Sequence, residues 1–186
     1  MAVLAAGCAS MRPPTPEDEA AVTGRRIAPG ERFRPAGATL SAALPAGWTL
    51  RDESGATVLF SDPLDDSRAR NTITLRLTPF EGAAGAKPRT PESIAAATKR
   101  AIEALPAGHL VAERPAARAG LRGAEFELVF EPRHKSEGSR YARRHIVLVD
   151  AGGSRVLHLM HTGRAGLLDR TAREFDAVVA SVKEGA

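Results

Sequence analysis

Residues 154–162 read Ser-Arg-Val-Leu-His-Leu-Met-His-Thr, and this stretch decides the fold of the chain. Its apolar residues are not spaced at every second position, because Val156 and Leu157 are adjacent and so are Leu159 and Met160. Successive side chains of a strand point to opposite faces, so the stretch predicts a strand that is apolar on both faces. Such a strand belongs in the middle of a sheet whose two faces are both covered.

Further strands are predicted on the N-terminal side of this stretch, over residues 39–44, 48–50, 57–60, 72–78, 109–118, 124–131 and 141–150. Within 72–78, apolar residues alternate with threonines and Arg76, which is the period-two pattern of a half-buried strand. Phe126, Leu128 and Phe130 alternate with glutamates in the same way. Because most connections are short, the sheet should be mainly antiparallel.

The loop between residues 131 and 140 predicts how two of these strands pair. A turn centred between Lys135 and Ser136 gives the pairs Glu131 with Arg140, Phe130 with Tyr141, Glu127 with Arg144 and Phe126 with His145. In this register the aromatic side chains share an inner face and the charged side chains share an outer face.

Two helices complete the pattern. Thr90 is a typical N-cap, Pro91 suits the first helical position, and apolar residues at helical spacing continue as far as Leu105. A second apolar stripe runs from Leu168 to Val182. The predicted fold class is therefore α+β, a mainly antiparallel sheet with helices packed on both faces, which is an α/β/α sandwich.

The segment Leu44-Pro45-Ala46-Gly47-Trp48 resembles the Pro-x-Gly-Trp start of the Mog1/PsbP-like family. Similar features follow in the family's order: Phe60-Ser61-Asp62, Asn71-Thr72-Ile73-Thr74-Leu75, Thr90-Pro91-Glu92-Ser93, Gly120-Leu121-Arg122-Gly123, and the closing segment from Phe175 to Val182. The resemblance covers roughly residues 39–183. It implies an α/β/α sandwich that binds or supports assembly, and it carries no catalytic residue onto this chain.

Cys8, the only cysteine, closes the run Leu4-Ala5-Ala6-Gly7-Cys8, which resembles a bacterial lipobox. The resemblance implies that its thiol carries a lipid anchor and that the residues before it are removed. The segment before it holds no Lys or Arg and is shorter than a usual signal, so we expect the true start upstream of Met1. Ala9-Ser10, instead of Asp, implies the outer membrane and its periplasmic face. The alternative is a cytoplasmic protein with an incidental thiol.

Three parts of the chain are predicted. Residues 1–8 are the remainder of a signal with the lipobox cysteine, residues 9–38 are a disordered tether, and residues 39–186 are the folded domain. The tether is predicted because Arg12-Pro13-Pro14-Thr15-Pro16, followed by three acidic residues, cannot continue a helix and has little apolar surface to bury.

The composition favours one globular domain that binds no nucleic acid. The chain has 186 residues, 43% of them hydrophobic, and its apolar runs are too short for a transmembrane span. Its net charge is +4, but only 4% of residues are aromatic. A nucleic-acid surface would combine clustered basic residues with stacking aromatics.

Three histidines are the strongest candidates for chemistry. His158 and His161 would chelate a metal on a helix, but on a strand they point to opposite faces. His145 lies in an alternating strand, where it is predicted to be packed. Asp62, Asp65 and Asp66 lack the spacing of a calcium loop. We therefore expect no catalytic residue, no metal and no cofactor, and the alternative is a histidine-dependent hydrolase or metal enzyme.

The richest charged segment predicts a basic hairpin tip. Its candidate partner surface comprises Arg133, His134, Lys135, Arg140, Arg143 and Arg144. Such a tip could contact an acidic protein or anionic headgroups, or it could be only a solvated turn. The predicted function is a membrane-tethered envelope lipoprotein whose domain binds a protein partner. The alternative is a cytoplasmic chaperone of a secretion-system effector.

Overall fold

A computed structural model describes residues 24–35, 39–53, 55–65, 68–79, 89–132 and 140–184. The strands in these ranges are β1 (Arg25–Arg26), β2 (Arg32–Phe33), β3 (Leu40–Ala43), β4 (Thr49–Glu53), β5 (Ala56–Phe60), β6 (Thr72–Pro79), β7 (His109–Arg118), β8 (Leu121–Phe130), β9 (Tyr141–Val149), β10 (Arg155–Arg164) and β11 (Lys183–Glu184). The helices are α1 (Pro91–Glu103), a 3-10 helix (Leu168–Thr171) and α2 (Ala172–Ala180).

Eight strands form one sheet in the order β1-β4-β5-β6-β10-β9-β8-β7, and β11-β3-β2 form a small second sheet. Every strand pair within the described ranges is antiparallel. The prediction of a mainly antiparallel sheet is thus confirmed. β10, which carries the two-sided apolar stretch, lies between β6 and β9 near the middle of the large sheet, as its pattern predicts.

Alternate residues of β9 lie in two different apolar clusters. Ile146 and Leu148 lie in a cluster with Phe175 of α2. Val147 and Val149 lie in a second cluster with Ile94 and Ile102 of α1. Because neighbouring residues of a strand point to opposite faces, the two clusters lie on opposite sides of the sheet.

The start of α1 follows from its sequence. The Thr90 hydroxyl accepts a hydrogen bond from the Ser93 backbone N–H at 3.2 Å, and the Ser93 hydroxyl accepts one from the Thr90 N–H at 3.0 Å. This capping box satisfies N–H groups that the first helical turn leaves unpaired. The predicted C-terminal helix is divided in two, because its first turn is the 3-10 helix. No helix in the described ranges is long and apolar enough to cross a membrane.

The predicted register of the β8–β9 hairpin is confirmed. Phe126 pairs with His145, Glu127 with Arg144, and Phe130 with Tyr141. The side chains of Phe126, Phe130 and Tyr141 are at most 4% exposed, and all three lie in the cluster with α1. Packing of the inner face therefore fixes this hairpin, as expected from its alternation.

The predicted tether over residues 9–38 is wrong for residues 24–35, which belong to the folded domain. β1 pairs with β4, and β2 pairs with β3. Ile27 is 3% exposed and Phe33 is 9% exposed, and both lie in the cluster with α2. The Ile27 N–H also donates to the Trp48 carbonyl at 2.9 Å. Two isolated apolar residues, short backbone pairings and side-chain contacts of Arg26 and Arg32 hold this Pro- and Gly-containing segment against the domain.

Ile27→Ala should lower the free energy of unfolding by about 2–5 kcal/mol, because it truncates a buried side chain. Arg25→Ala is the matched control from the same short segment. The Arg25 side chain is largely exposed in its ion pair with Glu31, so its loss should cost much less than the truncation of Ile27. Urea denaturation of both variants measures the difference. Equal, small effects would show that this segment lies outside the cooperative unit.

Candidate functional site

His145 and His158 form a pair on the side of the sheet that faces α1. The ladder places His145 opposite Met160 and His158 opposite Val147, so the two histidines are diagonal neighbours. His145 Nε2 lies 3.1 Å from His158 Nδ1, which is hydrogen-bond distance. His145 is buried, and His158 is half-buried.

Both rings of this histidine pair are neutral at neutral pH. Burial lowers the pKa of His145 well below its usual value, and repulsion from Arg143, and from His158 when that ring is protonated, lowers the pKa further. Burial lowers the pKa of His158 to about 4, with further contributions from Arg76 and Arg89. No carboxylate among the described residues hydrogen-bonds to either ring. The pair therefore lacks the acidic partner that orients a catalytic histidine in triad-type sites.

His161 lies on the opposite face from His158, as predicted. Its ring stacks on Phe175 with the centroids 5.1 Å apart, and its Nε2 lies 2.8 Å from the Thr171 hydroxyl. The amide nitrogen of Asn71 donates to the same hydroxyl at 2.8 Å. Burial lowers the pKa of His161 to about 4. This network joins β10 to the 3-10 helix, which is a structural role.

The described residues contain no group of three His, Cys, Asp or Glu side chains that could hold a metal ion. The Asp62 carboxylate pairs with Arg26 at 2.8 Å. The Asp65 carboxylate accepts a hydrogen bond from the Ala69 backbone N–H at 3.2 Å. These two carboxylates are thus engaged with their own chain, and Asp66 lies outside the described residues.

The predicted partner surface is divided by the structure. Cys8, Arg133, His134 and Lys135 lie outside the described residues. Arg140 directly precedes β9 and is exposed. Arg143 and Arg144 lie within β9, on opposite faces of the sheet. They are therefore not part of a projecting tip.

Arg144 is held on the side of the sheet that faces α2. Its guanidinium donates to Glu125 and to Asp176, each at 2.8 Å, and lies 5.1 Å from the centre of the Phe175 ring. These contacts tie β9 to β8 and to α2. The predicted role of Arg144 in a partner surface stays a prediction, and the structure places the residue within β9 instead of on a hairpin tip.

Arg143 is half-buried on the other side of the sheet, which faces α1. Its Nε donates to the Thr162 hydroxyl at 2.9 Å, and its guanidinium lies 4.9 Å from the centre of the Phe130 ring. Burial lowers its pKa to about 10. This stacking on Phe130 joins β8, β9 and β10, so Arg143 also acts within its own chain.

Arg140 lines a pocket of about 200 Å³ at the end of β8 and the start of β9. Its other lining residues are Ala107, His109, Val129, Phe130 and Glu131. Apolar side chains line this pocket together with charged ones. Of the described candidates for the partner surface, Arg140 is the one that the structure places beside an open concave feature.

No site role was predicted from the sequence for Arg76, Arg89, Asn71 or Thr171. The sequence does indicate which face of the strand carries Arg76, because Arg76 lies on the polar face of the alternating stretch 72–78. Arg76 lies opposite His158 because β6 pairs with β10. These strands are far apart in the chain, so their pairing could not be predicted from local sequence. Asn71 and Thr171 meet only because the 3-10 helix packs beside β10.

Several solved structures are similar to this chain. LpqN of Mycobacterium tuberculosis, described as involved in cell envelope biogenesis, has a TM-score of 0.61 at 16% identity, with 86% of this chain and 88% of LpqN covered. A Pseudomonas aeruginosa protein of unknown function has a TM-score of 0.51 at 15% identity, covering 78% and 90%. A PsbP from the cyanobacterium Synechocystis has a TM-score of 0.49 at 15% identity, covering 87% and 96%.

No protein-family model and no curated protein matches the sequence. At identities of 15–16%, likeness to solved structures establishes architecture and leaves activity open. The order of strands and helices agrees with the order that the sequence motifs imply. The chain therefore shares the fold of LpqN and of the Pseudomonas aeruginosa protein.

Proposed function

We propose that this chain is a lipid-anchored protein of the cell envelope whose single domain binds a protein partner and catalyses no reaction. The observation that carries the proposal is the contrast between the buried polar side chains and Arg140. The histidines, Arg143 and Arg144 contact groups of their own chain, whereas Arg140 lines an open pocket.

The finer fold assignment supports a binding role. We infer an α/β/α sandwich with α1 on one face of the large sheet and α2 on the other, because the two helices share clusters with alternate residues of β9. In this arrangement each face of the sheet is packed against a helix. Interaction with a partner is left to the ends and edges of the sheet, where the pocket lies.

The envelope location rests on two independent similarities. Leu4-Ala5-Ala6-Gly7-Cys8 resembles a lipobox, and a lipid on Cys8 would attach the chain to a membrane. LpqN, which shares the fold, is described as involved in cell envelope biogenesis. We favour the periplasmic face of the outer membrane, because Ala9 and Ser10 follow the cysteine.

The pocket suits a partner's side chain better than a cofactor. Its volume of about 200 Å³ is smaller than the roughly 300–1,000 Å³ of typical small-molecule sites. Val129, which is half-buried, offers apolar contact, while Arg140 can pair with an acidic group of the partner. A buried anchor side chain beside a charge-assisted contact is a common centre of protein interfaces.

The proposal is tested in cells that express the complete gene, with a photoreactive residue at Glu131. We expect membrane sedimentation and one discrete cross-linked adduct, both lost in Cys8→Ala, and the adduct alone lost in Arg140→Glu. A photoreactive residue at Ala151, in the exposed turn between β9 and β10, is the control and should give no such adduct. Adducts that form equally at both positions, or a Cys8→Ala protein that still sediments with membranes, would contradict the proposal.

A further inference from the structure

β7 forms a long open edge of the large sheet. It lies at one end of the strand order, beside β8, and no other described strand pairs with its far side. It has ten residues, and none of them is buried. The other described edge strands, β1, β2 and β11, have two residues each. Because an edge strand presents unpaired backbone N–H and C=O groups, proteins usually keep such strands short or cover them.

The first part of this edge also carries an exposed apolar side chain. Val111 is 59% exposed, and it is the one large apolar residue with such exposure among the described residues. The register with β8 shifts between Leu110 and Ala112, so Val111 is the extra residue of a β-bulge and has no ladder partner in β8. A bulge redirects a side chain at a sheet edge, which leaves Val111 open to another molecule.

Pro115 limits the part of β7 that another strand can use. Within sheets, proline is confined to edge strands, with its nitrogen on the solvent side. A strand added along β7 therefore receives no hydrogen bond from Pro115, which has no backbone N–H. The stretch before it, 109–114, is about as long as an average strand.

This stretch begins at the pocket that Arg140 lines. His109 is the first residue of β7, and it lines the pocket together with its ladder partner Val129. Val111 follows two residues later, which is roughly 7 Å along a strand. One extended segment can therefore lie along β7 and place its terminal side chain in the pocket.

We propose that the partner contributes an extended segment, which adds a strand to β7 before Pro115, contacts Val111 and reaches the pocket. This inference rests on the proposed function, because it describes how the partner occupies the same pocket. Backbone hydrogen bonds along the edge supply affinity, and the side-chain contacts supply specificity. The segment carries an apolar residue for Val111 and an acidic residue for Arg140. A second copy of this chain fits less well, since it brings its own bulge and proline to the pairing.

Photoreactive residues placed in turn at His109, Val111 and Glu113 test this inference in cells that express the complete gene. Mass spectrometry identifies the cross-linked residue of the partner in each adduct. Strand addition predicts that these residues lie in one short segment, and that they shift along it in one direction as the probe moves. Cross-links to residues that are far apart in the partner's sequence would overturn strand addition.

A charge at the apolar position provides a second readout. Val111→Lys should lower the yield of the Glu131 adduct about tenfold, because charged residues at an edge oppose strand pairing. Ala117→Lys is the matched control, at an exposed position of the same strand beyond Pro115, and should change the yield less than about twofold. Both variants should unfold in urea at the native midpoint, because both positions are exposed. An unchanged yield in Val111→Lys would overturn the inference.

The adducts at Glu131 and Val111 separate this inference from the proposed function. If the Glu131 adduct forms and the Val111 adduct does not, the pocket binds a partner but the edge does not pair, so the inference alone fails. If neither adduct forms, the proposed function fails as well. Cross-links from Val111 to residues 109–118 of a second copy would assign the edge to a dimer and overturn a separate partner.

Discussion

Phe126→Ala is expected to lower the free energy of unfolding by about 3–5 kcal/mol. Phe126 is 0% exposed, at the centre of β8, and lies in the cluster that contains Ile94 and Ile102 of α1. The truncation removes a ring from a tightly packed sheet–helix interface, where neighbouring side chains cannot collapse fully into the space. The loss of stability has two sources, the burial of apolar surface that the ring no longer provides and the cavity that it leaves.

Glu127→Ala is the matched control for this prediction. It changes the next residue of the same strand, whose side chain pairs with the exposed Arg114. An exposed ion pair contributes little, so the cost should be under about 1 kcal/mol. Thermal or urea unfolding of both variants measures the contrast. Comparable losses would mean that the register of β8 does not bury the residues that its alternation indicates.

The β8–β9 register could be predicted from the sequence because the information is local. Phe126, Phe130 and Tyr141 lie on two strands joined by one loop, and the period-two pattern leaves one parity that buries all three. A slip by one residue would move the whole set to the opposite face of the sheet, away from α1. The start of α1 was predictable for the same reason, since Thr90 and Ser93 lie within one helical turn.

The docking of residues 24–35 could not be predicted in this way. Ile27 and Phe33 are single apolar residues between prolines, glycines and arginines, with no periodic pattern. They become buried because distant strands and α2 leave apolar surface for them to cover. Burial of this kind depends on the assembled domain and leaves no local signal.

The candidate sites show the same limit. Arg144 meets Asp176, which is 32 residues later in the chain, and no pattern within β9 indicates that contact. His145 and His158 meet through the register of β9 with β10, which the sequence analysis did not derive. The alternation of apolar and polar residues predicts which face of the sheet a side chain lies on. The residue that it contacts depends on the order of the strands, which alternation does not predict.

The second large effect is a loss of stability between pH 7 and pH 5. His161 is 0% exposed, and burial lowers its pKa to about 4, from an ordinary value of about 6.5. The unfolded chain therefore binds more protons than the folded chain between these two values. The contribution of the neutral His161 to the free energy of unfolding is fully present above about pH 6.5 and is lost as the pH decreases toward 4.

The charged groups near His161 support this direction. After burial, the Arg144 guanidinium lowers the pKa of His161 further, while the Asp176 carboxylate acts in the opposite sense. Asp150, whose pKa is lowered to about 2 in the folded chain, loses its contribution only below its ordinary value near 4. The interval from pH 7 to pH 5 therefore reports mainly on buried histidines.

For one histidine shifted in this way, the loss between pH 7 and pH 5 is about 2 kcal/mol. His161→Gln should reduce the pH dependence of the free energy of unfolding by that amount, whatever its effect at a single pH. Val111→Ala, at an exposed position that carries no ionisable group, should keep the native slope. Urea denaturation at pH 7, 6 and 5 measures all three proteins. An unchanged slope in His161→Gln would show that His161 takes up its proton without unfolding the domain, so that the contact between β10 and the 3-10 helix does not depend on a neutral ring.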